Sequence, residues 1–175
     1  IESIKKNFES IRLKKNRRKE YKSPEVKKKN SSSLSLEDDL LMLCFSKEKK
    51  IRKEIYDNLN VNWITTEGTK RIYNEIYIHL NSEFEPQPVI ILDQLKEKQD
   101  HMKLTQLLFE IDKILPTIGM AKNAIKRLEY NYLIKKIDSL RILLKESEET
   151  LKDSSSIIDE IVTIQNKINT IRRND

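Results

Sequence analysis

The chain contains very few residues that interrupt helices, with only two glycines and four prolines among 175 residues. Glycine and proline are the residues that most often end helices and form turns, so their scarcity predicts long, uninterrupted helices. Alternation of apolar and polar residues, the pattern typical of strands, is nowhere sustained. We therefore predict an all-α fold: a compact multi-helix bundle followed by a long connecting helix and a C-terminal helical hairpin.

Cysteine is also nearly absent. The single cysteine, Cys44, lies in the apolar run LLMLCF, and one cysteine cannot form a disulfide within the chain. This predicts a buried thiol in a reducing compartment, and we expect a cytoplasmic location. No apolar run is long enough to span a membrane and no signal peptide is visible, so no membrane partner is expected. Because the sequence begins with isoleucine rather than methionine, we expect a fragment of a longer protein.

Motifs that carry catalysis or bind metals are missing from the sequence. It has no Gly-rich phosphate loop, no CxxC pair and no HExxH motif. His79 is interpreted as a residue at a helix end and Asp38 and Asp39 as charges in a first helical turn, where they suit the helix dipole. Trp63 is interpreted as a core residue. We predict that this chain alone is not an enzyme and has no catalytic residue, metal, cofactor or small-molecule ligand.

The net charge of +6 belongs to the N-terminal segment. Residues 1–30 contain 12 Lys or Arg against 4 Asp or Glu, whereas the other 145 residues contain 22 against 24. Residues 1–35 are predicted to be the basic tail of a preceding domain plus a flexible linker. The stretch RLKKNRRKEYK is either a solvated flank of that linker or a salt-sensitive contact to nucleic acid. In the second case, the contacting residues would be Lys14, Lys15, Arg17, Arg18 and Lys19.

Helical periodicity begins at Leu36. Apolar residues recur there at three- and four-residue spacing up to about residue 115, which predicts a bundle of four to six short helices within residues 36–118. Ser35 followed three residues later by Asp38 predicts a variant capping box at the start of the first helix.

A different pattern follows in residues 119–175, the predicted long-helix and hairpin subdomain. Two narrow apolar stripes are separated by the polar turn KDSSS, in which Ser154 or Ser155 could cap the second helix. The short turn predicts that the two helices pack antiparallel. The stripes comprise Tyr130, Leu133, Ile137, Leu140 and Leu144, and then Ile157, Ile161, Ile164, Ile168 and Ile171.

Four further apolar residues lie off these stripes: Ile142, Leu143, Ile158 and Val162. They are predicted to form a second, shorter apolar strip. Two interpretations stay open for that strip. A partner protein could cover it, or it could widen the seam of the hairpin or fold back on the bundle.

The order of these segments resembles the C-terminal, helicase-binding domain of bacterial DNA primase. The resemblance is carried by LEDDLLMLCFS, RIYNEIYIHL and AIKRLEYNYLIKKIDSLRILLKESEETLKDSSSIIDEIVTIQNKINTIRR, and it spans roughly residues 36–173. It implies a domain that docks on the N-terminal domains of the hexameric replicative helicase and brings primer synthesis to the replication fork. The parent protein would use zinc and magnesium in regions that this sequence lacks.

This resemblance and the helical phase together predict a helicase-binding face on the last helix. The predicted residues are Ile158, Val162, Gln165, Asn169 and Arg172, with Lys152 adding charge complementarity. Three other hypotheses stay open: an N-terminal domain of the helicase itself, a nucleic-acid-binding module that uses the basic arm, and a self-associating coiled-coil adaptor.

Overall fold

The computed structural model describes residues 34–149 and 154–173, and these residues form an all-α structure without a strand. The predicted fold class is therefore confirmed. The described helices are α1 (Leu36–Cys44), α2 (Lys49–Asn58), α3 (Glu67–Leu80), α4 (Pro88–Gln94), α5 (Lys98–Ile111), α6 (Ile118–Glu149) and α7 (Ser155–Arg173), with one 3-10 turn (Val61–Trp63) between α2 and α3.

The predicted capping box starts α1. The backbone nitrogen of Asp38 donates to Ser35 Oγ at 3.1 Å, and the backbone nitrogen of Ser35 donates to Asp38 Oδ2 at 3.0 Å. Two backbone donors that the helix itself leaves free are thereby satisfied. The local sequence thus fixes where the folded bundle begins.

Helix α1 is the centre of the bundle and packs against α2, α3, α5 and α6. Five consecutive residues of α1 are at most 4% exposed: Leu40, Leu41, Met42, Leu43 and Cys44. A helix that is apolar on all sides is stable only when other helices surround it. The predicted burial of Cys44 is confirmed, and that burial raises the pKa of its thiol.

Arg52 of α2 is buried within this bundle, only 1% exposed. Its guanidinium donates to backbone oxygens of two separate loops: Ser46 and Lys47 after α1 at 2.7 and 3.1 Å, and Ser82 after α3 at 3.2 Å, with longer contacts to Glu83 and Phe84. A buried charge is stable only with such partners. Arg52 therefore ties the two loops together, a role that the sequence analysis did not identify.

Helix α6 belongs to two hydrophobic clusters. Its first half packs on the bundle through Ala121, Ala124, Ile125 and Leu128, and its second half packs on α7 through Leu133, Ile137 and Leu140. At about 100° per residue, the two sets lie about 140° apart around one helix about 48 Å long. The helix is continuous from Ile118 onward, so the hairpin projects from the bundle on one helix. The predicted subdomain boundary between residues 118 and 119 stays a prediction.

Candidate docking surface on the C-terminal hairpin

The hydrophobic cluster at the seam of the hairpin contains every residue of the two predicted stripes except Leu144. Leu133, Ile137 and Leu140 of α6 pack against Ile164 and Ile168 of α7, and all five are buried. Tyr130, Ile157, Ile161 and Ile171 extend the seam as half-buried residues. Among the described elements, α7 packs against α6 alone. Outside this seam, α7 therefore makes no contact with the described helices of the bundle.

Ion pairs line one flank of the seam. Lys136 Nζ lies 2.6 Å from Glu160 Oε1, and Lys167 Nζ lies 2.7 Å from Glu129 Oε1. The hydrogen bond to Glu160 raises the pKa of Lys136. Exposed pairs of this kind each stabilise by about 0–1 kcal/mol, so their main effect is to favour one register between the two helices.

The opposite flank of α7 carries apolar side chains instead. Ile158 is 45% exposed and Val162 is 49% exposed. By helical phase, the exposed residues Gln165, Asn169 and Arg172 continue the same flank towards the end of the helix. We call these five residues the α7 flank. The structure thus places five of the predicted site residues side by side, while Lys152 lies outside the described residues.

The predicted apolar strip of four residues is corrected by this geometry. Ile142 and Leu143 are 62% and 50% exposed, but helical phase points Ile142 away from α7 and places Leu143 on the flank that carries the ion pairs. Neither residue continues the apolar surface of Ile158 and Val162. The strip on the α7 flank is therefore shorter than the sequence indicated.

Basic side chains surround the α7 flank. Arg172 donates to Tyr130 Oη at 2.6 Å, and Arg141 and Lys145 lie on the adjoining side of α6. Arg141 is itself paired with Asp138 of the same helix at 3.3 Å. The flank therefore combines an apolar centre with a positively charged edge, which favours a partner surface of the opposite pattern. Arg172 and Tyr130 are 42 residues apart in the sequence, and no local sequence pattern predicts their contact.

The other residues singled out in the sequence have structural surroundings in the described part of the chain. Asp38 and Asp39 lie in the first turn of α1, and Asp38 pairs with Lys103 at 2.8 Å. Burial opposes ionisation of Asp38, but hydrogen bonds from Lys103 and Ser35 outweigh it and lower the pKa of this carboxyl. His79 lies in the last turn of α3, as predicted. Trp63 is half-buried on the 3-10 turn and packs against the core of the bundle.

The basic residues proposed to contact nucleic acid, Lys14, Lys15, Arg17, Arg18 and Lys19, lie outside the described residues, so this role stays a prediction. Within residues 34–149 and 154–173, no group of three or more His, Cys, Asp or Glu side chains is arranged to hold a metal ion. None of the helices described is both long enough and apolar enough to cross a bilayer.

Comparison with known proteins shows a distant similarity to a yeast protein. No family model matches the chain, and no solved structure matches it. The chain is 26% identical over 132 residues to "Vacuolar protein sorting-associated protein 3" of Saccharomyces cerevisiae. The aligned part is 74% of this chain and 13% of the yeast protein, so the chain spans a small part of its relative.

This similarity contradicts the resemblance to bacterial DNA primase, because the yeast protein is not a primase. The predicted helicase-docking function, and with it the assignment to DNA replication, is corrected accordingly. The sequence segments that carry that resemblance define only the order and spacing of helices. Such features are shared by many helical folds and do not specify a function.

Proposed function

We propose that this chain is a non-catalytic docking domain whose α7 flank binds an acidic amphipathic helix of a partner protein. The observation that carries the proposal is that, among the described helices, α7 packs against α6 alone and leaves Ile158 and Val162 half-exposed. Helix-in-groove recognition uses apolar residues at such spacing as anchors.

The charge around the α7 flank supports an acidic partner. Arg141 and Lys145 lie on the adjoining side of α6 and Arg172 lies at the far end of the α7 flank, whereas Glu129 and Glu160 lie on the other flank and are paired with lysines. Glutamate or aspartate side chains on a partner helix could reach these basic groups while its apolar face covers Ile158 and Val162. Buried apolar contacts would supply most of the affinity, and the charges would set orientation and association rate.

The cellular setting is a separate part of the proposal. The name of the yeast relative associates that protein with vacuolar sorting, and a docking domain within a larger sorting protein is compatible with the partial match. A reducing compartment such as the cytoplasm is supported by Cys44, which is buried as a free thiol. The predicted absence of cofactors stays a prediction.

A fluorescently labelled acidic peptide tests the docking proposal. The peptide carries leucines at helical i, i+3, i+4 and i+7 spacing and glutamates at other positions, and its anisotropy is titrated with the full chain. We expect saturable binding that weakens at high salt. The double substitution Ile158→Ser and Val162→Ser should weaken binding at least tenfold, because both anchors are lost.

The matched control is Ile142→Ser, which replaces an exposed isoleucine that points away from α7. This variant should bind as tightly as the unaltered chain. The proposal is overturned if the intact chain does not bind the peptide, or if Ile142→Ser weakens binding as much as the double substitution. Analytical ultracentrifugation of the chain alone adds a further test, since dimerisation through Ile158 and Val162 would show a second copy to be the occupant instead.

A further inference from the structure

A second surface of the molecule lies in the bundle, where α2, the 3-10 turn and α3 meet around an open cleft of about 560 Å³. Four aromatic side chains line it: Tyr56, Trp63, Tyr73 and Tyr77. This concentration is unusual for the chain, in which aromatic residues make up only 6%. The cleft uses no residue of the hairpin, so what it binds is independent of the docking function proposed above.

The aromatic rings form a continuous wall. Tyr56 and Tyr77 stack with their ring centroids 4.8 Å apart and their planes at 17°, and Tyr73 lies tilted against Tyr77 at 5.9 Å. Tyr73 is buried beneath them, whereas Tyr77 is 38% exposed. The packing holds the rings in place before a ligand arrives, so little conformational entropy is lost on binding.

Polar side chains on this cleft have hydrogen-bond donors without a partner among the described residues. Asn60 accepts a hydrogen bond from the backbone nitrogen of Asn62 at 3.0 Å through its side-chain oxygen, which leaves its amide nitrogen free to donate. Neither the side chain of Asn74 nor the indole nitrogen of Trp63 makes a hydrogen bond with another described residue. Exposed carbonyl oxygens on a ligand would accept hydrogen bonds from these donors, and apolar rings on the same ligand would pack on the aromatic wall.

The charge of the residues that line the cleft further restricts the class of ligand that it can bind. Among the described residues that line the cleft there is one carboxylate, Asp57, and no lysine or arginine; Asp57 is paired at 3.3 Å with Lys53 outside the lining, in an exposed ion pair that a basic ligand can replace. Nucleic acids bind surfaces that neutralise phosphates with basic side chains, so this lining does not suit them. A carboxylate beside aromatic rings suits a neutral or basic ligand.

We propose that the cleft lined by Tyr56, Trp63, Tyr77 and Asn74 binds a proline-rich peptide in the polyproline II conformation, with a basic residue of the peptide near Asp57. Polyproline II chains expose their carbonyl oxygens, and proline lacks a backbone donor, so such a peptide needs donors from its receptor. Proline rings pack on aromatic side chains in grooves of this kind.

Trp63 provides a direct readout, because it is the single tryptophan of the chain. The probe is an acetylated and amidated peptide of Pro-Pro-Lys repeats, which contains no aromatic residue and therefore does not fluoresce. Titration into the full chain should change the Trp63 emission saturably. Asn74→Ala and Tyr77→Ala should each weaken binding about tenfold, since one removes a donor and the other a ring contact.

Three controls make the result decisive. Asn123→Ala replaces an exposed asparagine of α6 outside the cleft and should leave binding unchanged. The same peptide with alanine in place of proline should not bind, and oligothymidine should cause no saturable change. Circular dichroism verifies that each variant is folded, and Asn74→Ala alone suffices if Tyr77→Ala unfolds.

Four results would overturn the inference: no saturable change with peptide up to about 1 mM, equal binding of the alanine peptide, saturable binding of oligothymidine, or an effect of Asn123→Ala equal to that of Asn74→Ala.

Discussion

Arg172, in the last turn of α7, contacts Tyr130 of α6 in two ways. Its guanidinium donates to Tyr130 Oη at 2.6 Å, and the guanidinium carbon lies 5.5 Å from the centre of the ring. The contact is made where α7 ends and α6 leaves the bundle. It therefore links the end of α7 to the part of α6 that lies next to the bundle.

Replacing Arg172 with alanine should loosen the end of α7. The loss of one hydrogen bond and one exposed cation–π contact is worth roughly 0.5–1 kcal/mol, which is enough to let a terminal turn fray. Hydrogen exchange of the backbone amides near the end of α7 should become faster, while exchange in α1 stays unchanged. Arg173→Ala is the matched control and should have a smaller effect. Equal effects of the two substitutions would contradict the role given to Arg172.

Ile164→Ala should detach α7 without unfolding the bundle. Ile164 is buried in the hairpin seam, and removing a buried isoleucine side chain costs about 2–5 kcal/mol. Because α6 is the one described helix that packs against α7, this loss falls on the local equilibrium between docked and detached α7. Hydrogen exchange measured by mass spectrometry should accelerate across residues 155–173 and remain slow in α1 and α3.

Two comparison variants define the range of outcomes for that experiment. Ile55→Ala, in the buried core of the bundle, should lower the global stability and accelerate exchange throughout. Ile142→Ala, at an exposed site, should change neither region. If Ile164→Ala instead accelerated exchange equally in α1, α3 and α7, the hairpin and bundle would unfold as one cooperative unit.

Glu37 should make stability dependent on acidic pH. Burial opposes its ionisation, but hydrogen bonds from Thr65 and Thr66 outweigh this effect, so its pKa lies below the ordinary value of 4.5. The closest contacts to Glu37 Oε1 are Thr65 N at 2.7 Å and Thr65 Oγ1 at 2.8 Å. A lowered pKa in the folded state stabilises the protein above about pH 4.5, and this contribution is lost as the pH falls through the lowered value.

Glu37→Gln removes this contribution. We expect the variant to be less stable than the unaltered chain by about 2 kcal/mol at pH 7, the scale of hydrogen bonds to a charged group. The difference should shrink as the pH falls below 4.5. Urea unfolding at a series of pH values measures it. Glu67→Gln, in which the replaced side chain is 72% exposed, serves as control, and a difference independent of pH would refute the assignment to Glu37.

The sequence by itself determined the features that depend on neighbours along the chain. The capping box of Ser35 and Asp38 and the two stripes of the hairpin follow from spacing, because residues three or four apart share one face of a helix. The burial of Cys44 follows from its apolar run in the same way. These predictions agree with the structure since helical periodicity alone fixes which side of each helix is apolar.

Only the tertiary structure decided which distant residues meet. The carbonyls that Arg52 binds lie in the loops after α1 and after α3, and the aromatic cleft joins residues of three elements. The packing of the first half of α6 on the bundle and of its second half on α7 likewise depends on how α6 lies between them. Contacts between distant residues depend on the packing of whole helices, which the local spacing of residues does not encode. The candidate binding surfaces are formed by such contacts.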